Sequence, residues 1–571
     1  MSTVACAPMY GWDSIPWTKL RRSNFKLQKR IYQASLQGNR KLVRKLQRLL
    51  MSSRAAKLLA VRRVSQDNSG KKTAGVDGVK SLSKRQRLQM AQRLNLTGSA
   101  KPVRRVWIDK ADSDEKRPLG IPVMEDRARQ TLVKEALEPE WEARFEPNSY
   151  GFRPGRSCHD AIAALFLAIE QKAKFALDAD IAKCFDRIDQ SALLAKVNAS
   201  PCVQRQIKAW LKAGVLDGER LFPTLEGVMQ GGSISPLLAN VALHGLQTTI
   251  AQTFPRRKGF APPIVVFYAD DFVILHADRQ VIELCTEVAR AWLKPLGLEL
   301  KPSKTRMAHT LNKVEGNAGF DFLGFNIRQY PAGRTKSGKT NRGGLLGFKT
   351  LIKPSSKAQA KHVKSLRKII DNLKSAPQEQ LIYALNGVIR GWARYYSTVV
   401  STRIFERLDH TLYLMLRAWA NRRHPNKGRK WTYNRYWSRN SEGRTTFQPP
   451  ARKPQLRLHA STLIRRHVKV QGTRSPFDGN WIYWSTRRGR SPEVPPRVAK
   501  LLRKQGGCCC QCRLYFRDGD SMSVVHNLIL LHQHCLKHWE TKVQQPDSPQ
   551  VRMTSVNKLR SRMRGNSHVR F

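Results

Sequence analysis

Acidic residues are scarce in this chain: Asp and Glu total 42 against 103 Lys and Arg, a formal net charge of +61 over 571 residues. A chain so one-sided in charge repels itself when compact, so the balance points to a polyanionic partner, nucleic acid above all. Long apolar runs are missing as well. The longest, AIAALFLAI at 161–169, falls well short of the ~18 residues that a membrane span requires. The opening MSTVACAPMYGWDSIPW lacks the basic-then-apolar design of a secretory signal, and a soluble, intracellular protein with no membrane partner is expected. An anionic membrane surface fits less well, because the charge is spread over hundreds of residues and not gathered on one amphipathic helix. Ten cysteines are few for a disulfide framework, and five of them (Cys508, Cys509, Cys510, Cys512 and Cys535) crowd one stretch. That clustering suggests metal rather than oxidation.

What is present can fold: 41% of residues are hydrophobic and 8% aromatic, and roughly 150 residues per domain allow three or four domains. The charge is uneven. Residues 1–330 hold 31 acids and 54 bases, residues 331–507 hold 7 and 39, and residues 508–571 hold 4 and 10. The first part reads as a catalytic body and the second as a binding surface. Leu42, Leu46, Leu49 and Leu50 recur at three- and four-residue steps, which predicts helix across 20–64, ended by the turn-rich DNSGKKTAGVDG at 67–78. Beyond 354 the helical period returns with Val363, Leu366, Ile369 and Ile370, then Ile404, Leu408, Leu412, Met415 and Trp419, a pattern for a helical bundle with basic faces. Residues 452–490 mix Arg and Lys with Trp481, Tyr483 and Trp484, the composition with which stacked bases and phosphates are held.

Three carboxylates stand out. FALDADI at 175–181 alternates as a strand that puts Asp178 and Asp180 on one face. IVVFYADDFVIL at 264–275 reads as a hairpin with Asp270 and Asp271 at its tip. Nucleotidyl transfer by a two-metal site needs carboxylates brought together from separate strands, and Asp180, Asp270 and Asp271 meet that need if the strands are neighbours. Adjacent aspartates in a turn are, taken alone, usually turn residues.

The order of motifs adds to this. KRPLGIPVMEDRARQ (116–130), SYGFRPGRSCHDAI (149–162), LDADIAKCFDRID (177–189), EGVMQGGSISPLLAN (226–240), FYADD (267–271), LGLELKPSKT (296–305) and FDFLGF (320–325) resemble, block by block, the reverse transcriptase and maturase proteins encoded by group II introns. LNGVIRGWARYY (385–396) and RAWANRRHPNKGRKWTYNRYW (417–437) are similar to the maturase region that follows the polymerase in that family. The resemblance implies an α+β right-hand polymerase with an α-helical thumb that is also the maturase X domain, a basic DNA-binding region and a degenerate zinc-binding tail. The implied division is 1–100 for an N-terminal extension and the start of the fingers, 101–330 for fingers and palm, 331–440 for thumb and X domain, 441–504 for DNA binding and 505–571 for an endonuclease-like module.

The resemblance also implies roles. Asp180, Asp270 and Asp271 match the carboxylates that hold two Mg²⁺ ions, with Tyr268 supporting the turn, and Phe185 matches the bulky side chain that rejects a ribose 2′ hydroxyl. Lys110 and Arg117 match finger residues that neutralise the triphosphate, and Gln230 sits where the family contacts the nucleotide. Lys304 either protonates the leaving pyrophosphate or is an exposed, salt-bridging lysine. Arg390, Trp392 and Arg394 lie in the block expected to hold RNA.

In the tail, QGGCCCQCRLYFRDGD (505–520) and HNLILLHQHC (526–535) resemble the opening and close of a His-Asn-His endonuclease. Cys509, Cys512, His532 and Cys535 either bind Zn²⁺ or remain free thiols; Cys508, Cys510 and His538 compete as ligands. The loop that should supply Asp-His is missing, and His526 abuts Asn527 with no loop to turn the chain, so DNA cutting is expected to be lost. The implied function is an RNA-directed DNA polymerase and maturase that binds intron RNA, target DNA and dNTPs as a nucleoid-associated ribonucleoprotein in the cytoplasm of a bacterial-type cell. The rival readings are a splicing-only RNA-binding maturase and a reverse transcriptase of a retron or diversity-generating element.

Overall fold

The computed structural model describes residues 11–109, 116–314, 316–439, 443, 445–449, 454–517 and 519–544. They fall into two compact units, one of residues 11–20 and 26–475, the other of 21–25 and 476–544, so the division lies inside the basic segment 441–504. Both helices and sheets are present throughout, an α+β chain. No described helix is long and apolar enough to cross a membrane.

The first unit opens with helices Trp17–Leu36, Arg40–Ser52 and Arg54–Arg62. Leu46 and Leu50 are buried as the spacing predicts, but Leu49 is exposed, one step off the apolar stripe. Strands Val103–Asp109 (β1) and Lys116–Ile121 (β2) then form an antiparallel hairpin. The strands that follow in order are Phe175–Asp180 (β3), Val215–Asp217 (β4), Arg220–Phe222 (β5), Ile264–Tyr268 (β6), Asp271–His276 (β7), Arg306–His309 (β8), Phe320–Phe322 (β9), Phe325–Pro331 (β10) and Phe348–Pro354 (β11).

Three sheets result. The order β2-β1-β4-β5 makes one, β6-β7-β3-β8 a second and β11-β10-β9 a third. The second is the structural centre, with β3 inside it between β7 and β8. Leu177, Ala179, Val265, Phe267, Phe272 and Ile274 of this sheet pack into a core shared with helix Met124–Glu142 through Leu132, Val133 and Leu137. Side-chain alternation fixes the register, since a slip by one residue would exchange Leu177 and Ala179 of β3, which pack in the core, for its carboxylates.

Past β11 the chain is helical, with Ser356–Asn372, Gln378–Tyr396 and Thr402–Arg423 packed about Leu366, Leu381, Leu385, Ile389, Leu412 and Trp419. Helix Arg429–Tyr436 and the hairpin Trp437–Arg439 (β12) with Thr445–Phe447 (β13) close this cluster. In the second unit, helices Trp481–Arg488 and Pro496–Lys504 precede the hairpin Met522–Val525 (β14) with Ile529–His532 (β15) and helix Gln533–Gln544. Trp481 and Trp484, expected to stack on bases, belong instead to packing. Trp484 is buried with its Nε1–H on Asp478 Oδ1 at 3.2 Å, and Trp481 lies against the core of this unit.

Candidate active site

The β3–β7 register sets Asp180 directly opposite Asp271, and the β6–β7 register sets Tyr268 opposite Asp271. Directly opposed residues share a face of an antiparallel sheet, so Asp180 and Asp271 point the same way. Asp270 occupies the turn between β6 and β7, and its carbonyl accepts from Ile181 N at 3.3 Å.

That turn is strained: Ala269 has φ +59°, a region that a non-glycine residue enters only when its surroundings impose it. The surroundings are the loop 146–153. Tyr150 N donates to Phe267 O at 3.0 Å and Phe267 N donates to Asn148 O at 2.9 Å. A Cβ at Gly151 would lie 2.1 Å from Ala269 N, so the site needs glycine there. Arg153 locks the loop from within. Its guanidinium donates to both carboxylate oxygens of Glu142 (2.7 and 3.1 Å) and to the carbonyls of Glu146 and Ser149 (2.8 and 2.9 Å), entirely out of solvent. Breaking such a pair leaves an uncompensated buried charge, a cost of about 3–5 kcal/mol.

The carboxylates are crowded. Burial, then the charges of Asp270 and Asp180, push the Asp271 carboxyl up to about 7, and burial raises Asp270 too. Lys304 in the short turn Pro302–Lys304 reaches Asp180 Oδ2, and this hydrogen bond raises the lysine. Three carboxylates crowded at one site are an oxygen donor set suited to hard divalent cations.

Around these groups stand the residues expected to meet the nucleotide. Phe185, in helix Cys184–Arg187, is half-buried and meets Phe152 edge to face with ring centroids 6.2 Å apart. Its carbonyl accepts from Val228 N at 2.6 Å. The 229–233 loop is held against the fingers, with Gly120 N donating to Gln230 O at 2.6 Å and Ser233 N donating to Gln130 Oε1 at 2.8 Å. Gly231 sits at φ +119°, and a Cβ there would lie 2.5 Å from Gly120 O, so any side chain would collide with β2. Gln230 Nε2 is 3.5 Å from Asp186 Oδ1. Arg117 of β2 is near enough for its charge to act on Asp270. Lys110 lies outside the described residues.

Elsewhere the expected residues divide. Arg390 and Arg394 are exposed on helix Gln378–Tyr396. Trp392 is half-buried on another side, its ring stacked on His362 at 4.5 Å and packed on Tyr396 at 4.5 Å, so the structure gives it a packing role in place of a free stacking face. The exposed aromatic on this helix is Tyr383, which sequence reading passed over although its spacing from Gly387 and Arg390 marks the same face.

In the second unit, one donor atom each from Cys509, Cys512, His532 and Cys535 gathers within 4.8 Å. His532 presents Nδ1 to Cys512 Sγ at 3.3 Å while its Nε2 donates to Asp520 Oδ2 at 3.2 Å. A carboxylate behind the imidazole is the arrangement that orients a metal-binding histidine. His526 and Asn527 do turn the chain, contrary to expectation: both adopt positive φ (45° and 62°) and, with Leu528, form a three-residue connection between β14 and β15. His526 lines a cleft of about 580 Å³ with Ser523, Trp539 and Glu540.

A four-stranded antiparallel sheet with Asp180 at the end of one inner strand and Asp270 and Asp271 at the neighbouring hairpin tip is an arrangement suited to a template-directed polymerase. Residues 108–327 match the family described as reverse transcriptase (RNA-dependent DNA polymerase), 12–94 match the N-terminal domain of reverse transcriptase, and 359–437 match the group II intron maturase-specific domain. Protein YkfC of Escherichia coli K12 is 32% identical over 324 residues, which cover 50% of this chain and 83% of that protein. Group II intron-encoded protein LtrA of Lactococcus lactis is 27% identical over 431 residues, 61% of this chain and 69% of LtrA. Maturase-like protein 1 of Euglena gracilis is 28% identical over 332 residues, 56% and 65% of the two chains. The chain belongs to the group II intron-encoded reverse transcriptases and maturases: it is an RNA-directed DNA polymerase that also carries the maturase function.

Proposed function

We propose that the chain copies its own group II intron RNA into DNA at the Asp180, Asp270 and Asp271 cluster, holding that RNA with the helices beyond residue 354. The opposition of Asp180 and Asp271 across β3 and β7 carries the reading. These three side chains would hold two Mg²⁺ ions, which when bound activate the primer 3′ hydroxyl and neutralise the departing phosphates. Arg117 clamps the triphosphate as a planar fork and Lys110 as a point charge. Lys304, beside Asp180, is placed to give a proton to the pyrophosphate as it leaves. Phe185, braced by Phe152, fills the space a ribose 2′ hydroxyl would need, and Gln230 positions the nucleotide from the opposite loop.

In the same reading the thumb and X domain span 331–440, and Arg390, Arg394 and Tyr383 present two cations and an aromatic to intron RNA, the pairing that suits unpaired strands. The basic region 441–504 binds the target DNA backbone. The Cys509, Cys512, His532 and Cys535 group holds Zn²⁺ as a structural site with four ligands. DNA cutting is lost, because the three-residue turn His526–Leu528 leaves no loop to carry the residues of a nuclease metal. The particle then takes its primer from existing DNA ends, such as a nascent strand at a replication fork, and works as a ribonucleoprotein in the nucleoid of a bacterial-type cell.

Purified protein tested on its native intron RNA, by primer extension and by splicing at low Mg²⁺, examines both halves. Both activities are expected. Splicing assistance without extension would establish the splicing-only alternative.

A further inference from the structure

The fingers hairpin has two faces, and the triphosphate chemistry uses one. Arg117 opposes Ile108 across the β1–β2 pair, whereas Trp107 opposes Pro118 and Arg105 opposes Gly120, so Trp107 and Arg105 share the other face. This second face runs into the Gln230 loop. A Cβ at Gly120 would stand 2.8 Å from Val103 Cγ2 and 3.7 Å from Met229 Cβ. The charge of Arg105 also acts on Asp186, the residue that Gln230 contacts.

Trp107 is 50% exposed, yet it is held in place. Its Nε1–H donates to Asp217 Oδ2 at 3.2 Å, and the Arg105 guanidinium lies 5.4 Å from the ring centroid. Fixing an indole while leaving half of it in water offers a flat, preorganised surface that folding does not require. Charge decides what the surface meets. On the Trp107 face β1 and β2 carry Arg105 and Lys116 against Asp109, so an anionic ligand with flat groups is favoured. A ring beside a guanidinium is how unpaired bases are stacked and their phosphates neutralised.

We propose that Trp107, backed by Arg105, is a stacking platform for the unpaired RNA template strand just ahead of the position where it pairs with the incoming nucleotide. The proposal rests on the polymerase reading above and adds a template subsite to it. The face chosen excludes the nucleotide as occupant, because Arg117 projects from the opposite face. Stacking suits a template that must be copied whatever its sequence, since every base has a π face.

The test measures binding of RNA–DNA duplexes with a recessed DNA 3′ end and a template overhang of one or six nucleotides to the full chain. The ratio of affinities for long and short overhangs is expected to fall about tenfold in Trp107→Ala, to recover in Trp107→Phe and to stay low in Trp107→Leu. An unchanged ratio in Trp107→Ala, or equal recovery with leucine and phenylalanine, overturns the platform. So does an altered oligomeric state with the ratio unchanged, which would make the surface a protein contact. Primer extension by the same wild-type preparation separates the two readings: extension with no overhang effect refutes the platform alone, and a Trp107-dependent overhang effect without extension refutes the polymerase reading alone.

Discussion

His467 donates from Nε2 to Asp160 Oδ1 at 3.0 Å, joining positions 307 residues apart. Asp160 is fully buried. It also accepts from Val470 N at 2.8 Å and, on Oδ2, from the backbone N and Oγ of Ser157, both at 2.9 Å. Arg156 donates to the carbonyls of Gly472 and Arg474 at 3.1 and 3.3 Å. The 467–474 segment is therefore a buttress for the loop whose Gly151 fits against the turn that carries Asp270. A chain cut after residue 475 should extend primers, and one cut after 453 should lose about 100-fold, the scale of an ångström of misplacement. Asp160→Asn, which keeps an acceptor, should retain more activity than Asp160→Ala. Equal extension rates from the two truncations would refute the buttress.

His362 supplies a pH dependence. Asp409 takes the Nδ1–H of His459 at 2.6 Å, which leaves His459 Nε2 to accept from His362 Nε2 at 2.8 Å. Burial, and then the charge of His459, push His362 down to about 3. A histidine depressed in the fold is neutral there while the unfolded chain takes up a proton below about 6.5, so stability falls as pH drops from about 6.5 towards 3. The slope from this one group is about 1.4 kcal/mol per pH unit. Thermal melts between pH 7 and 5 should show a shallower decline in His362→Gln than in wild type; parallel declines would mean that His362 titrates normally.

Zinc is the third expectation. The purified chain should carry one equivalent, removed by a zinc-selective chelator together with part of the melting transition, because binding a preformed site contributes to folding. Asp520→Asn should weaken the metal about 10- to 100-fold through His532. A chain that retains no zinc at stoichiometric supply would leave the four side chains as packed thiols and imidazole.

The strands of the β6-β7-β3-β8 sheet that carry the aspartates were legible because their signals are local. Alternation marked β3, two apolar runs around Ala-Asp-Asp marked the β6–β7 hairpin, and strand neighbourhood then follows from two carboxylate faces needing one site. Trp392 misled because charge and aromatic content in a block say nothing about which side of a helix each residue takes. It stands two positions from both Arg390 and Arg394, about 200° around the axis, on the side that meets His362. Trp484 misled for the same reason. Asp160 and Gly151 carry no local signal of their roles, since these arise only when residues 467–470 and 269 arrive from far along the chain. The turn at His526–Leu528 was missed because three residues, two of them at positive φ, can reverse a strand unaided.

Single-nucleotide addition to an RNA-templated primer by Asp271→Asn, with intron-RNA affinity measured on the same preparation, tests the central claim most directly. Removing one of three carboxylates that hold the metals should cost several kcal/mol of barrier, about 10³-fold in rate, while RNA affinity stays at the wild-type value. Addition at the wild-type rate would contradict the assignment of Asp180, Asp270 and Asp271 as the catalytic centre.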